Sequence, residues 1–207
     1  MQNVTVKRST AIGHLREMAQ AAQDGLRLRD TDIGWPLEEL WVAGELLDRV
    51  ETVDAGTVVL SLDLPADELS WLAKHPTAEW IGSQLRLGKR PFWWFYRPLV
   101  WPAWNLAHRR VLRFWSATGG LDDQAIEALA DRRRDDLAVV EPSEERLGEQ
   151  LEAELAASRR HLWDVLDHYW EQDWRRRQHS TDDQPEDQLW RAAQAVREIE
   201  AALTARP

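Results

Sequence analysis

Thirty consecutive residues, Arg86 to Trp115, hold five tryptophans, seven Lys or Arg residues and no Asp or Glu, inside a 207-residue chain of net charge -10. So many indoles need either a core large enough to enclose them or a surface built to use them. Pro98 and Pro102 interrupt the segment and forbid one continuous helix or central strand through it. PFWWFY favours a strand by its aromatic content, and VLRFWS suggests a second.

Three uses of the segment compete. As a core, Trp93, Phe95, Trp101, Trp104 and Trp115 would be buried, while Arg97, Arg109, Arg110 and Arg113 cover the edges and pair with carboxylates elsewhere. As a binding surface, Arg86, Lys89, Arg90, Arg97, Arg109, Arg110 and Arg113 would meet phosphates, and exposed indoles would stack bases. As a membrane-surface element it fails, because the prolines break an amphipathic helix and an acidic chain is repelled by anionic lipid. The core reading is preferred: Thr31 to Leu85 carries eleven acidic residues against Arg49 and Lys74, so the next segment's cations have counter-charges to find.

No run approaches the ~20 apolar residues of a membrane span, and the N-terminus lacks the apolar stretch of a signal peptide. With no cysteine, thiolate chemistry, disulfides and Cys-ligated zinc are excluded. A cytoplasmic protein is expected.

Periodicity predicts a helix from Ser9 to about Leu28, with Ser9 or Thr10 as N-cap. LEELWVAG and TVVLSLDLP read as strands, and Pro65 ends the second. DELSWLAKHP and TAEWIGSQLRLG read as helical segments separated at Pro76, and Leu121 to Arg134 as a helix after the Gly119-Gly120 turn. From Pro142 the stripe Leu147, Leu151, Leu155, Leu162, Leu166 and Tyr169 predicts one long helix, Ser143 to about Gln178. A loop, HSTDDQP, leads to a last helix after Pro185, carried by Leu189, Ala193, Val196, Ile199 and Leu203 and antiparallel to the long one. The expected architecture is α+β: a small mixed sheet flanked by helices over residues 1–140, and a C-terminal antiparallel helical pair over 141–207 packed on it as a single structural unit.

LWVAGELLDRVETVDAGTVVLSLDL places a hydrophobic strand ending in glycine before an acidic residue that opens the next strand. This resembles the nucleotidyltransferase fold of the polymerase-beta type, across Leu37 to Leu64. The resemblance implies that Gly44 stands where backbone meets nucleotide phosphates and Asp54 where the first metal-binding acid stands. Glu45 replaces the family's serine, and Gly56 stands where the second acid belongs, which leaves Asp63 as a late substitute. Two-metal phosphoryl transfer needs several oxygen ligands, and Glu45 puts negative charge where a triphosphate would lie. A degenerate scaffold is implied. The chain also looks like an uncharacterised family of bacterial proteins with WPxWN and RFWS-type motifs, here Trp101 to Asn105 and Arg113 to Ser116; that likeness implies no activity.

His161, Asp164 and His168 share one side of the long helix at a spacing metal sites use, but a solvated stripe is expected there anyway. Arg175, Arg176 and Arg177 before His179 suit a helix C-terminus through its dipole. Trp163, Trp170 and Trp174 form a second stripe, expected to dock the long helix rather than to face a partner. No phosphate loop, nucleophile elbow or HExxH motif occurs.

The sequence therefore points to a binding or interaction protein without turnover, with no cofactor and no metal, whose partner is a protein or a phosphate-bearing ligand. The rival is a magnesium-dependent nucleotidyltransferase using Asp54 and Asp63, or a nucleotide or single-strand binder working through the aromatic segment.

Overall fold

A computed structural model describes residues 5–48, 50–54, 56–179 and 184–206; the side chains of Asp54, Arg134 and residues 177–179 fall outside that description. The fold is α+β. The chain divides into two compact units, one of residues 1–63 and 78–142, the other of residues 64–77 and 143–207.

In the first unit five strands form a mixed sheet: β2 (Leu37–Ala43), β4 (Gly56–Leu62), β5 (Phe92–Pro98), β6 (Val111–Ser116) and β7 (Gly120–Leu121). Their order is β5-β4-β2-β6-β7, with β4 and β5 parallel and the other neighbours antiparallel. Every residue of β4 is buried, which is why GTVVLSL reads as a continuous apolar run instead of alternating. Two strands absent from the sequence reading, β1 (Thr5–Lys7) and β3 (Thr52–Asp54), pair antiparallel as a separate ribbon. Their three-residue length leaves no periodic pattern to detect.

The helix α1 (Arg8–Gly25) starts one residue ahead of the expected caps, so Ser9 and Thr10 lie inside its first turn and Lys7 takes the cap position without a side-chain bond. It buries Ile12, Leu15, Met18 and Ala22. Its last residue, Gly25, lies against the Trp35 indole, where a Cβ would overlap the ring; Trp80, from α2 (Pro76–Gln84), meets Trp35 edge-on at 5.6 Å. α3 (Asp123–Ala130) is shorter than expected, and the Asp122 side chain caps it by accepting from the Ala125 amide at 2.9 Å. α1 and α3 pack on one another and on β6.

In the second unit α4 (Glu144–His168) and α6 (Pro185–Thr204) run antiparallel, tied by Arg159, just past the middle of α4, to Glu200 at 2.7 Å and at the far end by Tyr169 to Glu186 at 3.3 Å. The long helix does not continue to Gln178. It breaks at Tyr169–Glu171 and resumes as α5 (Gln172–His179). On a straight helix Trp174 would lie about 180° round from Val165; the break returns it to the cluster of Val165 and Ala192, with Tyr169 and Leu189 against it. The Arg175 guanidinium donates to the Tyr169 carbonyl left by the break, at 3.4 Å. On α6 the buried line is Gln188, Ala192, Ala195 and Ile199, so Ala193 is exposed, contrary to its expected inward position.

The segment DELSWLAKHP forms turns, not a helix. Pro65 and Pro76 bracket it and Leu72 takes a left-handed φ of 60°, yet Leu69 and Trp71 are buried. The Trp71 indole donates to Glu198 at 2.7 Å, and Arg160 pairs with Asp67 at 2.6 Å.

Candidate functional site

Of the residues carrying the nucleotidyltransferase resemblance, the backbones of Gly44, Glu45 and Asp54 lie at one end of the β2–β4 pair and Asp63 at the other. Gly44 follows β2 with a φ of 78°, a conformation that suits glycine, and turns the chain sharply after the strand. Asp63 follows β4, which runs antiparallel to β2, and its amide bonds the Pro36 carbonyl at 2.7 Å. Gly44 and Asp63 therefore occupy opposite ends of this strand pair, about 20 Å apart for seven-residue strands. The backbone of Asp54 belongs to the β1–β3 ribbon, where it pairs with Thr5, and its side chain lies outside the described residues. Glu45 and Asp63 are exposed.

The basic residues of the aromatic segment are largely engaged within the first unit. Arg97 is 1% exposed; it donates to the carbonyls of Pro102 at 3.1 Å and Trp104 at 3.3 Å and stacks 5.3 Å from the Trp101 ring. The WPAWN motif is thus a cage for a buried guanidinium, closed by Asn105, whose side-chain oxygen accepts from the amides of Ala107 and His108 at 2.8 Å. Arg113 pairs with Glu39 at 2.8 Å and lies over Trp41. Arg110 meets Asp48 at 3.3 Å, and Arg90 bonds Glu17, His14 and the Leu85 carbonyl. Arg86, Lys89 and Arg109 are exposed.

Trp104 and Trp115 are buried as expected, but Trp93 is 47% exposed and Trp101 and Phe95 are half-buried, so the core reading holds for only part of the list. His108 lies 5.6 Å from the Phe95 ring, and burial holds its pKa below the ordinary value.

The second unit reverses this. Trp163 is 65% exposed, Trp170 82% and Trp190 63%, with Leu166 at 40%. The expectation that Trp163 and Trp170 are docked is corrected: of the stripe only Trp174 is buried. On α4 the buried line runs through Leu147, Leu151, Leu155, Ser158 and Val165. At about 100° per residue, Trp163 and Leu166 fall on one flank of that line, with Arg159, and Trp170 follows them just beyond the helix end. Trp190 lies about 180° round α6 from the buried Ile199, on the outward face that also carries Glu186 one turn earlier. Glu186 accepts from Tyr169 and Arg175, which places Trp190 one turn from the Tyr169–Trp170 end of the pair; Arg159 and Glu200 bridge the two helices on the Trp163 side.

Arg175 stands 5.8 Å from the Trp170 ring and 5.3 Å from that of Tyr169. Together the four exposed side chains could offer on the order of 500 Å² to a partner.

The opposite flank borders a cavity of about 570 Å³ lined by Asp67, Glu68, Lys74, His75, Arg160, His161 and Asp164. His75 meets Glu68 at 3.0 Å, and burial is the first cause holding the His161 pKa below its usual value. His168 bonds the Asp164 carbonyl at 2.8 Å. Among the described residues no group of three or more His, Asp or Glu could hold a metal ion. The side chains of Arg177 and His179 fall outside the described residues.

Trp190 was not singled out in the sequence. Its signal was available: it sits off the apolar line of its own helix, as Trp163 and Trp170 sit off the leucine line of theirs.

Residues 6–205 match the family described as a domain of unknown function (DUF7711), and the chain belongs to that family. No curated protein and no solved structure matches it. Among the described residues no helix is long and apolar enough to cross a membrane.

Proposed function

We propose that this member of an uncharacterised domain family is a non-catalytic interaction protein, and that the exposed tryptophans of the α4–α6 pair dock a partner's basic amphipathic helix. The observation that carries this reading is the exposure of Trp163, Trp170 and Trp190 on one helical pair. Tryptophan anchors of this kind dominate interface energetics when a partner covers them. Two antiparallel helices leave a groove along their flank, and a third helix with apolar residues at i, i+3, i+4 and i+7 fills it.

Charge selects the occupant. Residues 64–77 and 143–207 contain seventeen Asp or Glu against ten Lys or Arg, so a cationic helix is favoured over an acidic one and over a second copy of the same surface. Arg175 already rests over the Tyr169 and Trp170 rings, an arrangement that a partner's arginines would extend to Trp163 and Trp190.

The nucleotidyltransferase-like arrangement of residues 37–64 enters this reading as a scaffold without turnover. Glu45 at the position where phosphates would sit and the separation of Gly44 from Asp63 support that part of it.

The test is a fluorescence titration of the full chain with a synthetic amphipathic helix of leucine and arginine. Saturable one-to-one binding is expected, weakened at least about tenfold by Trp163→Ser with Trp170→Ser, which leaves the protein's charge unchanged. A peptide with glutamate in place of arginine should not bind. Equal affinity for wild type and double variant contradicts the proposal, and so does a monomer–dimer equilibrium abolished by the same substitutions.

A further inference from the structure

In the first unit the start of α1 opens on a cavity of about 510 Å³, lined by Lys7, Arg8, Arg16 and Arg132 with Glu51 as the one carboxylate among its described lining residues. In a chain of net charge -10 such a concentration of cations needs a physical reason.

Arg8 is 4% exposed and held by backbone carbonyls: Nε donates to Leu129 at 2.7 Å, Nη1 to Asp48 at 2.9 Å and Val50 at 3.1 Å, and Nη2 to Leu46 at 2.6 Å. These four bonds take up all but one of its five N–H donors without neutralising its charge, and no ion pair to Arg8 occurs among the described residues. A buried cation with no directly paired carboxylate is a costly arrangement. Burial, and then the nearby Arg132, hold the Arg8 guanidinium below its usual pKa, against the opposing pull of Asp48.

Arg132 follows α3 in a left-handed conformation, φ 60°, that a non-glycine residue seldom adopts, and it reaches Glu51 only at 3.9 Å. Lys7 and Arg16 make no side-chain hydrogen bond or ion pair among the described residues. The first turn of α1 contains no acidic residue and Lys7 provides no side-chain cap; the Arg8 amide bonds the Glu51 carbonyl at 3.0 Å, and the remaining first-turn amides add positive potential from the same side.

We propose that this cavity binds a small phosphate-bearing anion of about diphosphate size. Arg16, Arg132 and Lys7 contact its oxygens, while Arg8 and the first turn of α1 hold the field that attracts it. Guanidinium groups match phosphate oxygens in pairs, and two or three negative charges balance four cations and one carboxylate. The volume lies in the range of small-ligand sites. The cavity is separate from the basic residues of the aromatic segment, and the proposal stands independently of the exposed tryptophans.

Isothermal titration of the full chain with pyrophosphate at low ionic strength tests it. One-to-one binding is expected, weakening steeply as salt is added. Arg16→Gln together with Arg132→Gly should lower affinity at least about tenfold. Glycine adopts the conformation at position 132 freely, so the melting temperature of that variant should hold or rise, separating a lost ligand from a lost fold. No binding at low ionic strength, undiminished affinity in the double variant, or a loss produced instead by Arg109→Gln with Arg113→Gln would overturn the assignment.

Discussion

Trp101 to Trp115 and Trp163 to Trp190 are built from the same materials, tryptophan with arginine close by, and are used in opposite ways. In the first, Arg97 threads into the carbonyls of Pro102 and Trp104, Trp115 is 1% exposed, and Arg113 is taken by Glu39. In the second, Arg175 lies across the outside of Tyr169 and Trp170, and Trp163, Trp170 and Trp190 face solvent. Density of aromatic and basic residues therefore does not identify a binding surface. What separates the two regions is enclosure: WPAWN wraps Arg97 completely, whereas Arg175, although it also bonds a backbone carbonyl, stays at the surface.

The comparison breaks first at the core. Trp115→Ala should cost about 4 kcal/mol by chemical denaturation, the range for emptying a buried aromatic site; a cost below about 1 kcal/mol would mean that this region is not core. Arg97→Met removes the caged charge and leaves the Pro102 and Trp104 carbonyls without that donor, with an expected loss of about 3 kcal/mol. Gly25→Ala forces a methyl group into the Trp35 indole and should cost about 2 kcal/mol in the same assay. Trp163→Ser and Trp170→Ser sharpen the other side: each should change stability by less than about 0.5 kcal/mol.

The smallest expected effect is one of pH. Burial lowers the pKa of His108 in the folded chain, so between that value and the unfolded value of about 6.5 the unfolded chain binds more protons. Its contribution is complete above pH ~6.5 and is lost as pH falls toward the folded value. Denaturation midpoints measured across that window should fall less steeply with acid in His108→Gln than in wild type.

The strands were legible where composition and boundary agreed: LEELWVA, GTVVLSL, FWWFYRP and VLRFWS all form the mixed sheet. The break at Tyr169 was not, because the leucine stripe runs into it without proline or glycine, and only the tertiary placing of Trp174 beside Val165 requires it. DELSWLAKHP carries a helical pattern that its flanking prolines and the left-handed Leu72 override.

The candidate sites were less legible than the fold. The residues lining the cavity at the start of α1 come from three separated stretches, Lys7 to Arg16, Glu51 to Thr52 and Ala130 to Arg132, and only the packing of α1 with α3 and β3 assembles them. The exposed tryptophans were visible as residues but not as a surface, since exposure is decided by the partner helix.

Hydroxyl-radical footprinting, read at single tryptophans with and without the leucine–arginine helix, tests the division most directly. Trp163, Trp170 and Trp190 should oxidise rapidly in the free chain and be protected by the peptide, while Trp104 and Trp115 stay slow in both states. Comparable oxidation at all five positions, or a peptide that protects none of the exposed three, would contradict the account.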